Sequence, residues 1–371
     1  MKKPLALLKK TYGALPLASR IFLFIGIAAF FVHILSLLSA SAADFFTKTV
    51  GAATRTLLGY ASAPFPFSLA EMLLLGLPLW VALAVFVARR YLKRGGSALR
   101  AIAFCLSFLP LLYSLFVFML GFGYLSTPLS EKLSLKKKES VLAQELYEAG
   151  RYFAAEAEKE LEGVTFSENG ESVMPFSHRE MNKALRRAYH SLSEKYGFIS
   201  VPAPTKAVLL SKPMAYTGIT GVYSFFTGES NLCTYYPDFS TVYTASHEMA
   251  HAAGIAREDE ANFIAFLTLA EAEEPYFRYS AHLNLLQYTL GALYRADKEL
   301  YTALYSSLSP NIKSEFHAYN LAFDEVDGHF VRDIAESVND AYLSGVGTEG
   351  AVSYTLVVRL GVAYAKEKTA Q

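Results

Sequence analysis

Three long apolar runs near the start of the chain, Ile21 to Ala43, Leu69 to Ala88 and Ala101 to Leu125, constrain its fold more than any other feature. Each is close to the ~20 residues that an α-helix needs to cross ~30 Å of hydrocarbon, a medium in which backbone N–H and C=O groups must be satisfied within the segment. Three transmembrane helices are the expectation. A cleaved leader is disfavoured for the first run, which is too long and lacks a convincing cleavage site. Basic residues orient the set: Lys2, Lys3, Lys9, Lys10 and Arg20 precede the first run, and Arg89, Arg90, Lys93, Arg94 and Arg100 separate the second from the third. Both basic segments should be cytoplasmic, at a plasma membrane crossed several times, which leaves the loop from Asp44 to Ser68 and everything after the third run outside. Lys136, Lys137 and Lys138 run against this assignment but are outnumbered. Kinks are expected at Pro78 and Pro110. Glu71 reads as an interfacial carboxylate, and His33, mid-span, as a neutral imidazole bonded between helices.

From about Thr127 the composition becomes that of a water-soluble domain, so the chain divides into a membrane domain, 1–126, and an extracytoplasmic domain, 127–371. The fold class expected of the latter is mainly α with a small β-sheet. Helical spacing runs through Lys138 to Leu161, and SHRE at Ser177 to Glu180 is a capping box that opens a helix through Glu194. Lys206 to Ser211, Gly221 to Phe226 and Asn231 to Tyr236 are β-like runs separated by turn residues. Everything after Ser240 reads as helix, with breaks near Gly254, Pro275, Pro310, Gly328 and Gly345 to Gly350. Lys and Arg number 34, as do Asp and Glu, and this balance argues against a nucleic-acid partner. The two cysteines, Cys105 and Cys233, could not easily meet, so no disulfide framework is expected.

The ionisable groups concentrate in SHEMAHAAGIAREDEANF, Ser246 to Phe263. A helix repeats every ~3.6 residues, so His247 and His251 project from one face, one turn apart, near enough to hold one ion. Glu248 stands beside that face, where it can act on a water; this is the HExxH pattern of zinc peptidases. With no cysteine cluster, a metal must use histidine, carboxylate and water, a set that suits Zn2+. Asp238 or Ser240 is expected to cap the motif helix, with Val242, Ala245, Met249 and Ala252 facing the core. Gly254 is expected to end it in the left-handed conformation that turns the chain back. A catalytic zinc takes three protein ligands and a water, so a third is needed from Glu258, Asp259 or Glu260. Glu258 is preferred because it shares a face with the small residues Ala261, Asn262 and Ala265, which would let this helix approach the first. Glu260 is the alternative ligand. Asn262 is expected to bond a histidine or a backbone group. Arg257 stands where HExxHxxGxxH enzymes have a third histidine, which disfavours that class.

EDEANFIAFL, Glu258 to Leu267, resembles the carboxylate-ligand helix of the ImmA/IrrE-type metallopeptidases, in which an ExxAN segment follows HExxH and its first glutamate binds zinc. More of the chain, through SHREMNKALRRAY, GITGVYSFFTGESN, HEMAHAAGIAREDEANFIAFL and VNDAYLSGVGTEGAVSY, resembles a bacterial membrane-protein family known as domain of unknown function 3810. Usual forms in that family are closer to PFTGEANVN and HExAHQRG, where this chain has Phe225, Leu232, Cys233, Ala252 and Ala253. The resemblance implies three N-terminal spans and a zincin-like outer domain, and supplies no substrate.

The expected activity is a membrane-anchored zinc metallopeptidase acting on peptides or proteins outside the plasma membrane, with membrane lipid as its other partner. Glu248 would take a proton from the activated water and pass it to the leaving amine. Tyr342 and Tyr354 are the candidates for stabilising the oxyanion. GVYSFFTGES is a candidate edge strand for pairing with an extended peptide. The competing expectation is a non-catalytic zincin-like sensor or peptide-binding module at the membrane surface. Intramembrane proteolysis is disfavoured because HEMAH lies outside any apolar span. Substrate, pathway and oligomeric state are not legible at this level.

Overall fold

A computed structural model describes residues 15–350 and 356–370. Lys2, Lys3, Lys9 and Lys10 lie outside this range. The chain is mainly helical with two small sheets. Its first helix, α1 (Leu17–Leu38), and the helical stretch Arg100–Leu125 are each long and apolar enough to cross a membrane. The second apolar run is not one straight helix: α4 (Leu69–Leu75) and α5 (Leu77–Lys93) meet at 62° and reach spanning length only as a pair. Of the three expected spans, two are thus matched by helices long and apolar enough to cross, and the third is matched only if the bent pair counts as one span. Pro78 has no N–H to continue the α4 ladder and sits at the start of α5, so the chain bends at Gly76 instead of running through. Within Arg100–Leu125 the break falls at Ser107, between α6 (Ala98–Leu106) and α7 (Phe108–Phe116), three residues before Pro110. A π-turn then leads into α8 (Phe122–Leu125). His33 Nδ1 lies 2.7 Å from the Tyr113 hydroxyl, so the mid-span histidine is bonded between helices.

The segment after the first apolar helix is itself helical. Ser39 accepts a hydrogen bond from Ala42 N, closing α1 and opening α2 (Ala40–Phe46), and α3 (Ala52–Ser62) follows a π-turn. These helices pack on the second half of the chain. Gly59 of α3 meets Gly228 so closely that a side chain on either would strike the other's backbone. Glu71 is buried and accepts hydrogen bonds from the backbone N–H groups of Leu209 and Leu210, both at 2.9 Å. Its carboxylate therefore holds a loop of the second half. Glu229 answers from the other side, accepting from Leu69 N at 3.1 Å and Ala70 N at 2.8 Å at the start of α4. Lys206 Nζ lies 2.6 Å from Glu229 Oε1 and also donates to the carbonyls of Ser62 and Phe67.

After a short α9 (Leu129–Lys132) come α10 (Ala143–Lys159), the β1–β2 hairpin (Thr165–Phe166, Ser172–Val173), and α11 (His178–Tyr196), which opens on the Ser177/Glu180 capping box. The hairpin has no counterpart in the sequence expectations because its strands are two residues each. β3 (Lys206–Ala207), α12 (Ser211–Ala215), β4 (Gly221–Ser224) and β5 (Glu229–Leu232) follow. The sheet order is β3-β5-β4, with β3 parallel and β4 antiparallel to β5. The strands fall within or beside the expected runs but are shorter. The rest is helical: α13 (Asp238–Ala253), α14 (Glu258–Ala270), α15 (Pro275–Ala296), α16 (Lys298–Ser307), α17 (Pro310–Val326), α18 (Phe330–Gly345) and α19 (Val357–Thr369). Asp297 separates α15 from α16 and caps the latter, a break not marked by glycine or proline. Helices α10, α13, α14, α15 and α19 enclose the main core, in which Phe153, Phe263, Phe266, Tyr276 and Leu285 are fully or almost fully buried. Both cysteines are free.

Two charge arrangements give testable stability effects. Glu229→Ala would leave buried Lys206 without its carboxylate and is expected to lower stability by roughly 3–5 kcal/mol. A Lys206→Met/Glu229→Gln double variant should cost less than the two single changes combined, read from thermal unfolding of the full-length protein in detergent. Burial pushes Glu315 up to about 7, while its Oε1 accepts from Ser172 N. Between the ordinary glutamate value and 7, the folded state keeps a proton that the unfolded chain has lost, so stability falls as pH rises through that window. Glu315→Gln should remove this slope and, above pH 7, raise stability by up to ~3 kcal/mol; an unchanged pH profile would contradict the assignment.

Candidate metal centre

The motif helix α13 begins after Pro237, with Asp238 at its first position. The expected cap by Asp238 or Ser240 is not made: no side chain caps this end, and Asp238 Oδ2 instead accepts from Met174 N at 2.9 Å. Its far end is a complete left-handed stop. Gly254 has φ 105°, Gly254 N donates to His251 O, and Ile255 N donates to Ala250 O, both at 3.0 Å. Only glycine fits there for a second reason, since a Cβ would lie 2.6 Å from Arg55 Nη2. The turn also sets a tautomer. His251 Nδ1 lies 2.8 Å from Ile255 O, and a carbonyl can only accept, so Nδ1 carries a proton and Nε2 of the neutral ring is left with its lone pair.

Helix α14 returns against α13 at close range. Ser246 Oγ donates to Ala265 O, and Tyr243 Oη donates to Asn262 O at 2.7 Å. The small residues Ala261 and Ala265 permit this approach. It brings Glu258 to the histidines: His247 Nε2 and His251 Nε2 are 3.1 Å apart, and Glu258 Oε2 lies 3.2 Å from the first and 3.4 Å from the second. All three residues are buried. Glu260 is not at this point. Its Oε1 accepts from Leu129 N at 2.8 Å and pairs with Arg257 Nη1 at 3.1 Å, because its face of α14 looks toward the segment after α8. The alternative ligand is therefore withdrawn. Asp259 faces Lys137 at 4.0 Å. Asn262, one turn beyond Glu258, bonds to Tyr288.

Glu248 lies next to this group, with its side chain against β4. A Cβ on Gly221 would stand 2.6 Å from Glu248 Oε1, so β4 crosses directly over the carboxylate. The backbone N–H of Tyr223 donates to it, while Oε2 has no hydrogen-bond partner among the described residues. Burial pushes Glu248 up to about 7, with His247 and His251 opposing and Glu258 reinforcing. Burial alone would raise Glu258, but the two imidazoles hold it down at about 2. Burial would lower His251, yet the Glu258 carboxylate holds it up at about 9.

The donor set suits a tetrahedral divalent ion. Two ligand atoms ~2.0–2.2 Å from one ion stand ~3.3–3.5 Å apart at the tetrahedral angle, close to the three separations found. Among the described residues, His247 Nδ1 and Glu258 Oε2 are buried without hydrogen bonds of good geometry. The chemistry of two nitrogens and one carboxylate oxygen fits zinc among several divalent metals.

The surroundings include residues that the sequence did not mark. Arg55 is buried against Gly254, donating to Thr47 O at 2.9 Å and Met119 O at 3.3 Å, and burial lowers it to about 10. Its signal was a lone cation in a segment of small and apolar residues. Tyr288 is close enough to feel the Glu258 charge. So is Tyr342, whose hydroxyl lies 3.1 Å from that of Tyr124; Tyr354 falls outside the described residues. A cleft of about 1700 Å³ between Ala63–Pro66 and α11 is lined by none of the residues of this centre. His282 is buried with Nδ1 on Arg278 O, and His317 and His329 are exposed.

A family model described as Protein of unknown function (DUF3810) matches residues 45–362, most of the chain. No curated protein and no solved structure matches.

Glu258→Gln should lower zinc affinity of the full-length protein by more than the ~10–100-fold that follows loss of a supporting partner. Glu260→Gln should leave it unchanged while lowering thermal stability. Elemental analysis after equilibrium dialysis reads both, and equal losses in the two variants would contradict the geometry.

Proposed function

We propose that this chain, which belongs to the DUF3810 family of proteins of unknown function, is a membrane-anchored zinc metallopeptidase that hydrolyses peptide bonds outside the plasma membrane. The observation that carries the reading is the buried meeting of His247, His251 and Glu258 beside a carboxylate, Glu248, with one oxygen uncommitted. Zinc bound there would polarise a carbonyl and make a water acidic near neutral pH. The His251 tautomer, set by Ile255 O, presents Nε2 as a donor of electrons. Glu248, anchored through the Tyr223 N–H, has Oε2 free to take a proton from a water and return it to the leaving amine.

β4 is an edge of its sheet, so the outward N–H and C=O groups that Glu248 does not occupy suit pairing with an extended peptide. Gly221 keeps that edge flush against Glu248. Tyr342 is the retained candidate for a hydrogen bond to the oxyanion. The order of strands, HExxH helix, glycine stop and carboxylate helix supports a zincin-like outer domain, as does the likeness of EDEANF to ImmA/IrrE-type metallopeptidases. Outward orientation is supported by Arg89, Arg90, Lys93 and Arg94, clustered at the C-terminal end of α5. A module that only binds peptide would need the edge strand but not Glu248, and burying that carboxylate is costly.

Glu248→Gln should lower cleavage of an unstructured polypeptide by ~10²–10⁴-fold while leaving zinc content at the parent level. Parent and variant degrading it equally would point to the binding module.

A further inference from the structure

We infer that the substrate is the juxtamembrane segment of a protein anchored in the same bilayer, threaded along the β4 edge from the membrane side; this rests on the peptidase reading. The helix Arg100–Leu125 changes from exposed to buried along its length. Ile102, Leu106, Leu109 and Leu112 are exposed, whereas Val117, Met119, Leu120, Phe122 and Tyr124 are buried in protein. Exposed apolar side chains on such a helix face lipid, so the boundary falls near Phe116. The rise from Arg100 to Phe116, ~24 Å, agrees with most of a ~30 Å hydrocarbon layer.

Phe116 touches the candidate peptide-binding strand. Its ring packs on Phe225, the residue after β4, at 5.9 Å between centroids, and Phe225 in turn packs on Phe226 at 3.9 Å. Phe226 and Val222 are each nearly half exposed. One end of β4 therefore sits at the membrane boundary, and the other end, Gly221, lies on Glu248. The four residues of β4 cover ~13 Å. A second route gives a similar height. Gly123 is ~10 Å beyond Phe116 along the helix, and a side chain there would strike Gly254 and Ala256 at the turn that ends the HExxH helix.

Both routes place Glu248 only three or four extended residues from the hydrocarbon. An edge strand recognises backbone and discriminates weakly among sequences. Anchoring supplies the missing affinity, because a chain held in the same bilayer presents its first outer residues at high effective concentration. Selection is then by distance from the membrane.

The test reconstitutes the full-length, zinc-loaded protein in liposomes with a single-span polypeptide whose outer segment is a uniform repeat of Ala, Ser, Thr and Val. Mass spectrometry should find cuts confined to about the third to eighth residue beyond the span. The same segment without its span, at equal bulk concentration, should be cut at least ~10²-fold more slowly. A photoreactive phenylalanine analogue replacing Phe226, in a Glu248→Gln background, should cross-link the membrane-near residues of the anchored chain and not the free peptide. Cuts spread along the repeat, or equal cutting of free and anchored chains, would overturn this inference and leave the peptidase reading intact. Cutting of neither would overturn both.

Discussion

Two imidazole nitrogens and a carboxylate oxygen face one another at 3.1–3.4 Å inside a nearly solvent-free layer between α13 and α14. Groups with lone pairs directed at a common point repel unless a proton or a cation lies among them, and burial removes the water that would otherwise shield them. The fold accepts this cost through several commitments. Gly254 must adopt a left-handed turn, Ile255 must offer its carbonyl to His251, and α14 must carry small residues so that Glu258 arrives at the right depth. Glu248, buried one residue along from His247, adds a further ionisable group that burial alone would keep neutral.

That arrangement also depends on the first third of the chain. Arg55 fills the space beside Gly254, Gly123 allows the end of an apolar helix to touch the same turn, and Gly59 meets Gly228 at the hairpin after β4. Charges fasten the start of the second apolar run on both sides, with Glu71 accepting from Leu209 and Leu210, and Glu229 with Lys206 closing on the start of α4. Helices α2 and α3 are therefore part of the scaffold of the centre. A division of the chain near residue 126 describes composition well, but the packing crosses it.

Periodicity made much of this visible in the sequence. The four-residue spacing of His247 and His251, the glycine stop and the Ser177/Glu180 capping box are local features whose physics is contained in a few residues. The preference for Glu258 over Glu260 came from small residues sharing its face, a hint about helix approach. What separates the two is tertiary: Leu129 N engages Glu260 from a segment over a hundred residues away, beside the local pair that Glu260 makes with Arg257. Glu71, Arg55 and Lys206 were opaque for the same reason, since a charged residue announces its burial only through distant partners. Pro78 marks a kink in the second apolar run, but length and hydropathy carry no angle. Its bend depends on Gly76 and Pro78 acting together.

X-ray absorption at the zinc edge, on the full-length protein purified without chelator, tests the central claim most directly. The account predicts near-stoichiometric zinc in a four-coordinate shell of nitrogen and oxygen at ~2.0–2.2 Å, with the outer-shell scattering of two imidazoles. That imidazole signal should disappear when His247 and His251 are both replaced by alanine. A folded protein that takes up no zinc, or a shell lacking imidazole scattering, would contradict it.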